Sequence, residues 1–398
     1  MIVRLLSAAS LCALAACSSE GSPTATQLAD NRTTSEAGSA RAPDGKPFDV
    51  EVVGDFAEPW AAAFRPGTQM LFVTEKKGQV RWIDLSNGRL GSVDSGLPEV
   101  DYGGQGGLGD IAFAPGTSAG SGPATLYLTW VEAGENDTRG AVLGKGTLVC
   151  EQADACALQN LQVLWRQDKT TGRGHYGHRI AFAPDGQHIF LTSGERQKFS
   201  PAQDLADNKG SVLRLNLDGT AAAGNPFAGQ GGSAAQIWSY GHRNPLGIAF
   251  AADGTLWEHE MGPKGGDELN RIERGQNYGY PLVSNGDHYD GRTIPDHAPG
   301  DGFKAPVESW NPVISPAGFV IYTGDKFPEW QGEGLIGGLS SMAIINVSLD
   351  GDNGREVDRY DMGSRIRELE QGPDGYVYVL EDERGGSQGR LLRLTPAR

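Results

Sequence analysis

One pattern recurs along the chain: a turn with glycine, an apolar run of strand length, a polar gap and a second run. Pro66-Gly67-Thr68-Gln69 leads into Met70-Leu71-Phe72-Val73-Thr74, and Pro184-Asp185-Gly186-Gln187-His188 into Ile189-Phe190-Leu191. Ala252-Asp253-Gly254-Thr255 leads into Leu256-Trp257, and Pro373-Asp374-Gly375 into Tyr376-Val377-Tyr378-Val379-Leu380. Partner runs follow at 79–83, 211–215 and 390–394. Asp-Gly between apolar runs is a strong hairpin signal. Weaker copies near 124–130 and 334–347 bring the count to about six units of roughly 55–60 residues, room for four strands and their loops. Repeats of this kind close on themselves, so that each sheet packs on its neighbours and no long edge stays open. The expected fold is therefore all-β: a six-bladed β-propeller of four-stranded antiparallel sheets, with a pair of two-sheet sandwiches as the alternative. The 58 glycines and 22 prolines agree, since both residues weaken helix interiors.

The 34 basic and 50 acidic residues sum to a net charge of −16. That excludes a general nucleic-acid binder, which needs a basic face to neutralise phosphates. It names no partner. Four cysteines are too few for a disulfide scaffold.

The first residues, Met1-Ile2-Val3-Arg4, precede an apolar run that ends in Leu14-Ala15-Ala16-Cys17. A positive start, a short apolar segment and small residues before a cut site make a secretory signal over 1–17. The ending resembles a bacterial lipobox, which implies cleavage before Cys17 and lipid on that residue; ordinary signal cleavage beside an incidental cysteine is the alternative. Ser18 stands where Asp would retain a lipoprotein at the inner membrane, so the periplasmic face of the outer membrane is expected, with the lipid as the only membrane attachment. Residues 18–45, rich in Ser, Thr, Ala, Gly and Pro, read as a flexible tether. One folded domain is expected over 46–398. Cys150 and Cys156 bracket a short polar loop in an oxidising compartment, which favours a local disulfide.

Four loops stand out from the repeat. Residues 101–109 carry five glycines around Gln105, which lets backbone pass close to a flat ligand or an axis; a turn between blades is the plain alternative. Gly174-His175-Tyr176-Gly177-His178-Arg179 places a histidine where it can act as a base, although a surface histidine reads equally well. Two histidines three apart hint at zinc, but no third His or Cys lies at a suitable spacing. Tyr240-Gly241-His242-Arg243-Asn244-Pro245 concentrates donors for carboxylate or carbonyl oxygens, or forms a structural ion pair. Residues 258–268, followed by Asn277-Tyr278-Gly279, supply carboxylates and carbonyls that suit calcium, without the spacing of an EF-hand.

As an ordered set these loops resemble the soluble sugar dehydrogenases that use pyrroloquinoline quinone (PQQ), above all the aldose sugar dehydrogenase branch. The set comprises Gly241-His242-Arg243-Asn244-Pro245, Gly262-Pro263 with Asp267-Glu268, Asn277-Tyr278-Gly279, Gln105, His175 with Arg179, 202–205, 210–215 and Arg365-Ile366-Arg367. The likeness runs from about residue 48 to 398. It implies a PQQ- and calcium-dependent oxidation of aldoses at C1 to lactones. His175 matches the base that takes the C1 hydroxyl proton while hydride passes to C5 of the quinone. Arg243 matches the cation beside the quinone oxygen, and Gln105, Asn244, Tyr289, Ser315, Pro316, Arg365 and Arg367 match other cofactor contacts. The carbonyls of Gly262 and Pro263 match those that hold the PQQ-linked calcium; Glu268 and the Tyr278 carbonyl match a separate structural calcium site.

Three positions depart from the glucose-oxidising members. Ser340 replaces a lysine that faces the cofactor, which removes one positive charge; Lys264 and Lys326 are the candidates to replace it. Gly174 replaces an aspartate that touches the sugar, and Glu195 replaces the aspartate that orients the base. The electron acceptor expected is a cytochrome or a membrane quinone, and a monomer is the default. The competing classes are a calcium-dependent propeller lactonase and a non-catalytic propeller binding protein.

Overall fold

In the computed structural model, residues 39–40, 46–151 and 154–397 are described. The signal segment with Cys17, and the tether apart from 39–40, lie outside the described residues. Six strands form the inner wall: Pro59–Phe64, Leu108–Phe113, Gly177–Phe182, Pro245–Phe250, Pro316–Ile321 and Ile366–Gln371. Each packs against the next and the last against the first, so the ring closes. No α-helix occurs among the described residues, only five short 3-10 turns.

Outward from this wall the chain builds antiparallel sheets from the hairpins that the Asp-Gly turns announce. Three are four-stranded, begun by Gly177–Phe182, Pro245–Phe250 and Pro316–Ile321. The rest of the hydrogen bonding does not divide into separate four-stranded sheets as the sequence leads one to expect. The units begun by Pro59–Phe64 and Leu108–Phe113 are fused into one eight-stranded sheet, because Ala155, Cys156 and Ala157 pair in parallel with Ser92, Val93 and Ser95. The disulfide between Cys150 and Cys156 lies at this seam. The sheet containing Ile366–Gln371 has five strands, because Ser39–Ala40 adds to the outer edge of Phe48–Asp55.

That last sheet joins the chain's two ends. Phe48–Asp55 pairs antiparallel with Arg390–Pro396, and Arg393 reaches Glu51 at 2.5 Å. Closing the ring with strands from both termini removes the open edge that a linear array would leave. Beneath each sheet lies an apolar layer; one such layer gathers Phe48, Trp330, Ile344, Val379 and Leu394.

Crowding at the axis explains several glycines. A Cβ at Gly109 would meet the His178 ring at 2.0 Å, and one at Gly318 would meet Glu368 at 2.1 Å. The large side chain of each following unit needs the space that a glycine leaves. Arg179 occupies the middle of this crowd. Its Nε donates to the Leu246 carbonyl (2.9 Å), Nη1 bonds Asp110 (3.2 Å) and Glu368, and the guanidinium lies 4.1 Å from the Trp60 ring centroid. One side chain thereby touches residues of four other inner strands. Beyond it the strands' later residues, among them Phe113, Ile248, Phe319 and Glu370, line an axial cavity of about 310 Å³. Burial raises Asp110 and pushes Glu368 up to about 7, against the pull of Arg179.

Removing this cation leaves the buried carboxylates without their counter-charge, although Asp110 and Glu368 keep the N–H groups of Ile180 and Leu369, and costs about 3–5 kcal/mol. Arg179→Met should therefore lower the melting temperature strongly at pH 8. The deficit should shrink at pH 5, where the unpaired carboxylates take up protons that the unfolded chain binds less tightly. Calorimetric scans at the two pH values check this; an equal deficit at both contradicts it.

Candidate active site

The opposite ends of the inner strands carry the site. Trp60, Gly177, His178, Leu246 and Ser315, together with Arg365 and Arg367, surround a cavity of about 220 Å³ with Gln105 at its edge. His178 stacks on Trp60, ring centroids 4.9 Å apart, and forms its floor above Arg179. A neighbouring cavity of similar volume is lined by His175, Glu195, Arg243, Pro263, Tyr280 and Tyr289. The Gln105 amide oxygen accepts the His175 backbone N–H at 2.7 Å, so the glycine-rich loop and the histidine loop meet between the two cavities.

His175 is buried and has a positive φ of 51°. Arg196, Gln197 and Phe199 also have positive φ, and such concentrated strain persists only where the surroundings over-determine it. Arg196 supplies part of that restraint. Its buried guanidinium donates to the carbonyls of Gly174 (2.8 Å), Arg139 (2.6 Å) and Gly172 (2.6 Å) and lies 3.9 Å from the Tyr176 ring centroid. Glu195, on the same turn, bonds His175 Nδ1 at 2.5 Å through Oε1. Its Oε2 accepts the N–H groups of Phe199 (2.7 Å) and Lys198. The longer carboxylate at 195 thus reaches the ring. With Nδ1–H donated to Glu195, Nε2 is the nitrogen left without a protein partner among the described residues.

Burial lowers the His175 pKa, Glu195 opposes that shift, and Arg243 adds to it; the net displacement is downward. Burial raises Glu195, but the bond to His175, the charges of His175 and Arg243 and the Phe199 N–H together outweigh it and hold the carboxyl below its ordinary value. At neutral pH the pair is a neutral imidazole beside a carboxylate. A side chain at Gly174 would lie 2.9 Å from the Gln197 amide, so Gln197 fills the space next to His175.

Arg243 and Asn244 sit on a turn held by Glu260, whose Oε2 accepts both backbone N–H groups, that of Asn244 at 3.1 Å. Arg243 Nη1 donates to the Met261 carbonyl (2.7 Å), and its guanidinium lies 5.9 Å from the ring centroids of both Tyr280 and Tyr289. Tyr289 is 75% exposed and free to cover a ligand. Arg243 Nε and both amide atoms of the fully buried Asn244 have no hydrogen-bond partner among the described residues. Buried polar atoms left unpaired are costly and mark places where a ligand completes the bonding.

Asp267 ties two loops together. Oδ1 accepts the Gly262 N–H (2.9 Å), and Oδ2 accepts those of Ile314 (2.8 Å) and Ser315 (2.7 Å); burial pushes its carboxyl up to about 6. The carbonyls of Gly262 and Pro263 accept no hydrogen bond among the described residues, and both residues are buried. Pro316 opens its inner strand behind Ser315. Arg365 and Arg367 both bond Asp382 Oδ2, at 3.0 and 3.3 Å, and Arg367 Nε is unpartnered.

Glu268 lies apart, in a buried cluster with Glu258 and Glu260, and Asn270 Nδ2 stands 3.1 to 3.5 Å from all three carboxylates. Burial and the Glu260 charge raise Glu258 and Glu268 well above the ordinary range. Tyr278 stacks on His242, ring centroids 4.6 Å apart, and His242 Nδ1 is 3.0 Å from Glu260. His242, Glu258 and Glu260 present ligand atoms within 4.8 Å of one another.

A model of the glucose/sorbosone dehydrogenase family matches residues 56–393. The chain belongs to that family. It is 38% identical over 355 residues to the aldose sugar dehydrogenase YliI of Escherichia coli K12, covering 87% of this chain and 92% of the relative. With quinoprotein glucose dehydrogenase B of Acinetobacter calcoaceticus the identity is 25% over 423 residues, covering 86% and 87%. Among solved structures, the apo-form of the soluble E. coli aldose sugar dehydrogenase superposes with a TM-score of 0.80 at 36% identity, covering 88% of this chain and 100% of that one. The PQQ-bound aldose sugar dehydrogenase of Streptomyces coelicolor gives 0.71 at 26%, covering 89% and 99%.

Several residues at the site of this glucose/sorbosone dehydrogenase family member escape sequence reasoning. Lys76 and Arg384 line the first cavity, Phe199 and Tyr280 the second, and Glu260 braces the Arg243 turn. Glu260, the last residue of the strand Leu256–Glu260, falls in the acidic stretch 258–268, but its role as a brace shows only in three dimensions, as does the placement of the others on their loops. The His175 ring should titrate below pH 6.5 in the apoprotein, and lower still in Glu195→Gln, because the carboxylate is what pulls it upward. Histidine side-chain NMR across pH 4–8 measures both midpoints; a midpoint above 6.5, or a rise in the variant, contradicts the assignment.

Proposed function

We propose that the chain is a PQQ- and calcium-dependent dehydrogenase, built as a six-bladed propeller, that oxidises aldoses at C1 to lactones. The observation that carries this reading is the neutral His175, held by Glu195, in a cavity that it shares with Arg243, whose buried Nε, like the amide of the adjacent Asn244, has no partner among the described residues. When bound, PQQ with its calcium supplies the electrophile that accepts hydride from the sugar. Its carboxylates suit Arg365 and Arg367, and its flat rings suit the space beneath the exposed Tyr289. The unbonded carbonyls of Gly262 and Pro263 are hard oxygen ligands of the kind calcium takes. Glu268 and the Tyr278 carbonyl suit a second, structural calcium, with Glu258 Oε1 and Asn270 Oδ1 unpartnered nearby.

His175 Nε2 accepts the proton of the sugar's C1 hydroxyl. The imidazolium so formed stays beside the Glu195 carboxylate, which stabilises it without taking the proton. The planar Arg243 guanidinium stabilises negative charge developing on a neighbouring oxygen. A carboxylate-based lactonase is less well supported. Asp110 and Glu368 at the axis are bonded to Arg179, and Glu370 lines the axial cavity on the side away from His175. Attachment by lipid at Cys17 would place the enzyme at the cell envelope, where a cytochrome or membrane quinone takes the electrons.

His175→Gln should lower kcat by about 10²–10⁴-fold while PQQ binding is retained, since the change removes the base and leaves the cofactor contacts. Turnover and cofactor titration on the same preparation test this, and near-normal turnover contradicts it. Chelation of calcium should abolish turnover, with recovery on adding calcium back. Cys17→Ser should move the protein from the membrane fraction to the soluble fraction; unchanged membrane association contradicts the lipid anchor.

A further inference from the structure

Lys76 follows the strand Met70–Glu75 and is only 5% exposed. Its ammonium has no carboxylate oxygen within 4 Å among the described residues. Nζ donates instead to the Gly104 carbonyl at 3.1 Å. Arg384, from the far end of the chain, donates to the same carbonyl through Nη2 at 3.2 Å. Two cations from distant parts of the sequence therefore converge on one oxygen of the glycine-rich loop. With Arg365 and Arg367 they make four cations lining the first cavity, and no carboxylate lines it among the described residues. Asp382, behind that lining, is already bonded to both Arg365 and Arg367.

A buried ammonium without a counter-ion is unfavourable, and a cavity with this balance is built for a polyanion. Ser340 contributes nothing to it. That residue is exposed, and its hydroxyl donates to the Val313 carbonyl at 3.2 Å. Lys264 is exposed on a two-residue strand that pairs with Asp287, and Lys326 lies beside Asp325; neither lines either cavity.

We infer that Lys76, together with Arg384, supplies the positive charge that the resemblance to the glucose-oxidising members leads one to expect at position 340, and grips a carboxylate of the anionic cofactor. The inference rests on the PQQ reading above. The Gly104 carbonyl holds the two cations in place until the carboxylate replaces or joins it. Burial, with Arg384 and Arg367 beside it, pushes Lys76 down to about 8, against the opposing pull of Glu58 and Asp382. An arriving carboxylate raises it again. From about pH 8 up to the raised value in the complex, binding is then accompanied by proton uptake and affinity falls as pH rises; well below pH 8 this group contributes no slope.

The test is a titration of the purified apoprotein with PQQ in the presence of calcium, followed by cofactor absorbance. Calorimetry in two buffers of different ionisation enthalpy at pH 8.5 then counts the protons taken up. Lys76→Met and Arg384→Met should each weaken PQQ binding by about 10- to 100-fold, the range expected for a charge-assisted hydrogen bond. Ser340→Lys in the Lys76→Met background should restore part of the loss. Proton uptake should vanish in Lys76→Met, and the melting temperature of that apoprotein should match or exceed the parent's. If the parent binds PQQ and both methionine variants bind it equally well, the inference is overturned and the cofactor reading stands. Weaker binding with a lower apo melting temperature and unchanged proton uptake would make Lys76 a structural residue and also overturn it. If the parent itself fails to bind PQQ, the cofactor reading falls and the inference with it.

Discussion

Arg179 and the crowding around it set the conditions for everything else in this molecule. Inner strands can close into a ring only if the space at the centre is filled without leaving polar groups unpaired. A guanidinium bonded to Asp110, Glu368 and the Leu246 carbonyl, flat against Trp60, meets both demands. Glycines at 109 and 318 leave room for the large side chains of the following units. The same plug separates the axial cavity from the face that holds His175. The candidate site therefore sits on a floor, Trp60 and His178, fixed by the fold itself.

Above that floor, three buried carboxylates act through backbone amides. Glu195 accepts the N–H groups of Lys198 and Phe199, Glu260 those of Arg243 and Asn244, and Asp267 those of Gly262, Ile314 and Ser315. Loops that would otherwise need their arginines for internal pairing are held by main-chain bonds. Arg243 is left with an unpaired Nε, and Asn244 with a wholly unpaired amide. Positive φ at His175, Arg196 and Gln197 fits the same scheme, because Arg196 clamps three carbonyls around that turn. Strain and orphaned polar atoms are concentrated where a ligand can offset them.

Much of this was legible in the chain. The Asp-Gly turns mark hairpins because few other dipeptides tolerate the backbone they require, and those hairpins are present at the expected places. The motif around Arg243 and Asn244, the His175 loop and the pair Arg365 and Arg367 converge on two adjoining cavities. What stayed hidden depends on three-dimensional neighbours. Nothing in Glu75-Lys76-Lys77 distinguishes the buried lysine from the exposed one, whose ammonium pairs with Glu58 at 3.3 Å. Arg384 reads as a loop residue until the ring brings it opposite Gly104. The fusion of two sheets through Ala155, Cys156 and Ala157 depends on a parallel pairing that no local pattern encodes.

The central claim is that the cavities beside His175 are completed by PQQ and calcium and then oxidise an aldose. The most direct measurement is an anaerobic spectrum of the purified protein reconstituted with stoichiometric PQQ, with and without calcium, before and after adding glucose. The account predicts saturable, calcium-dependent binding and conversion of the quinone spectrum to that of the reduced form on addition of sugar. Absence of binding at excess PQQ and calcium, or a bound quinone that no aldose reduces, would contradict it.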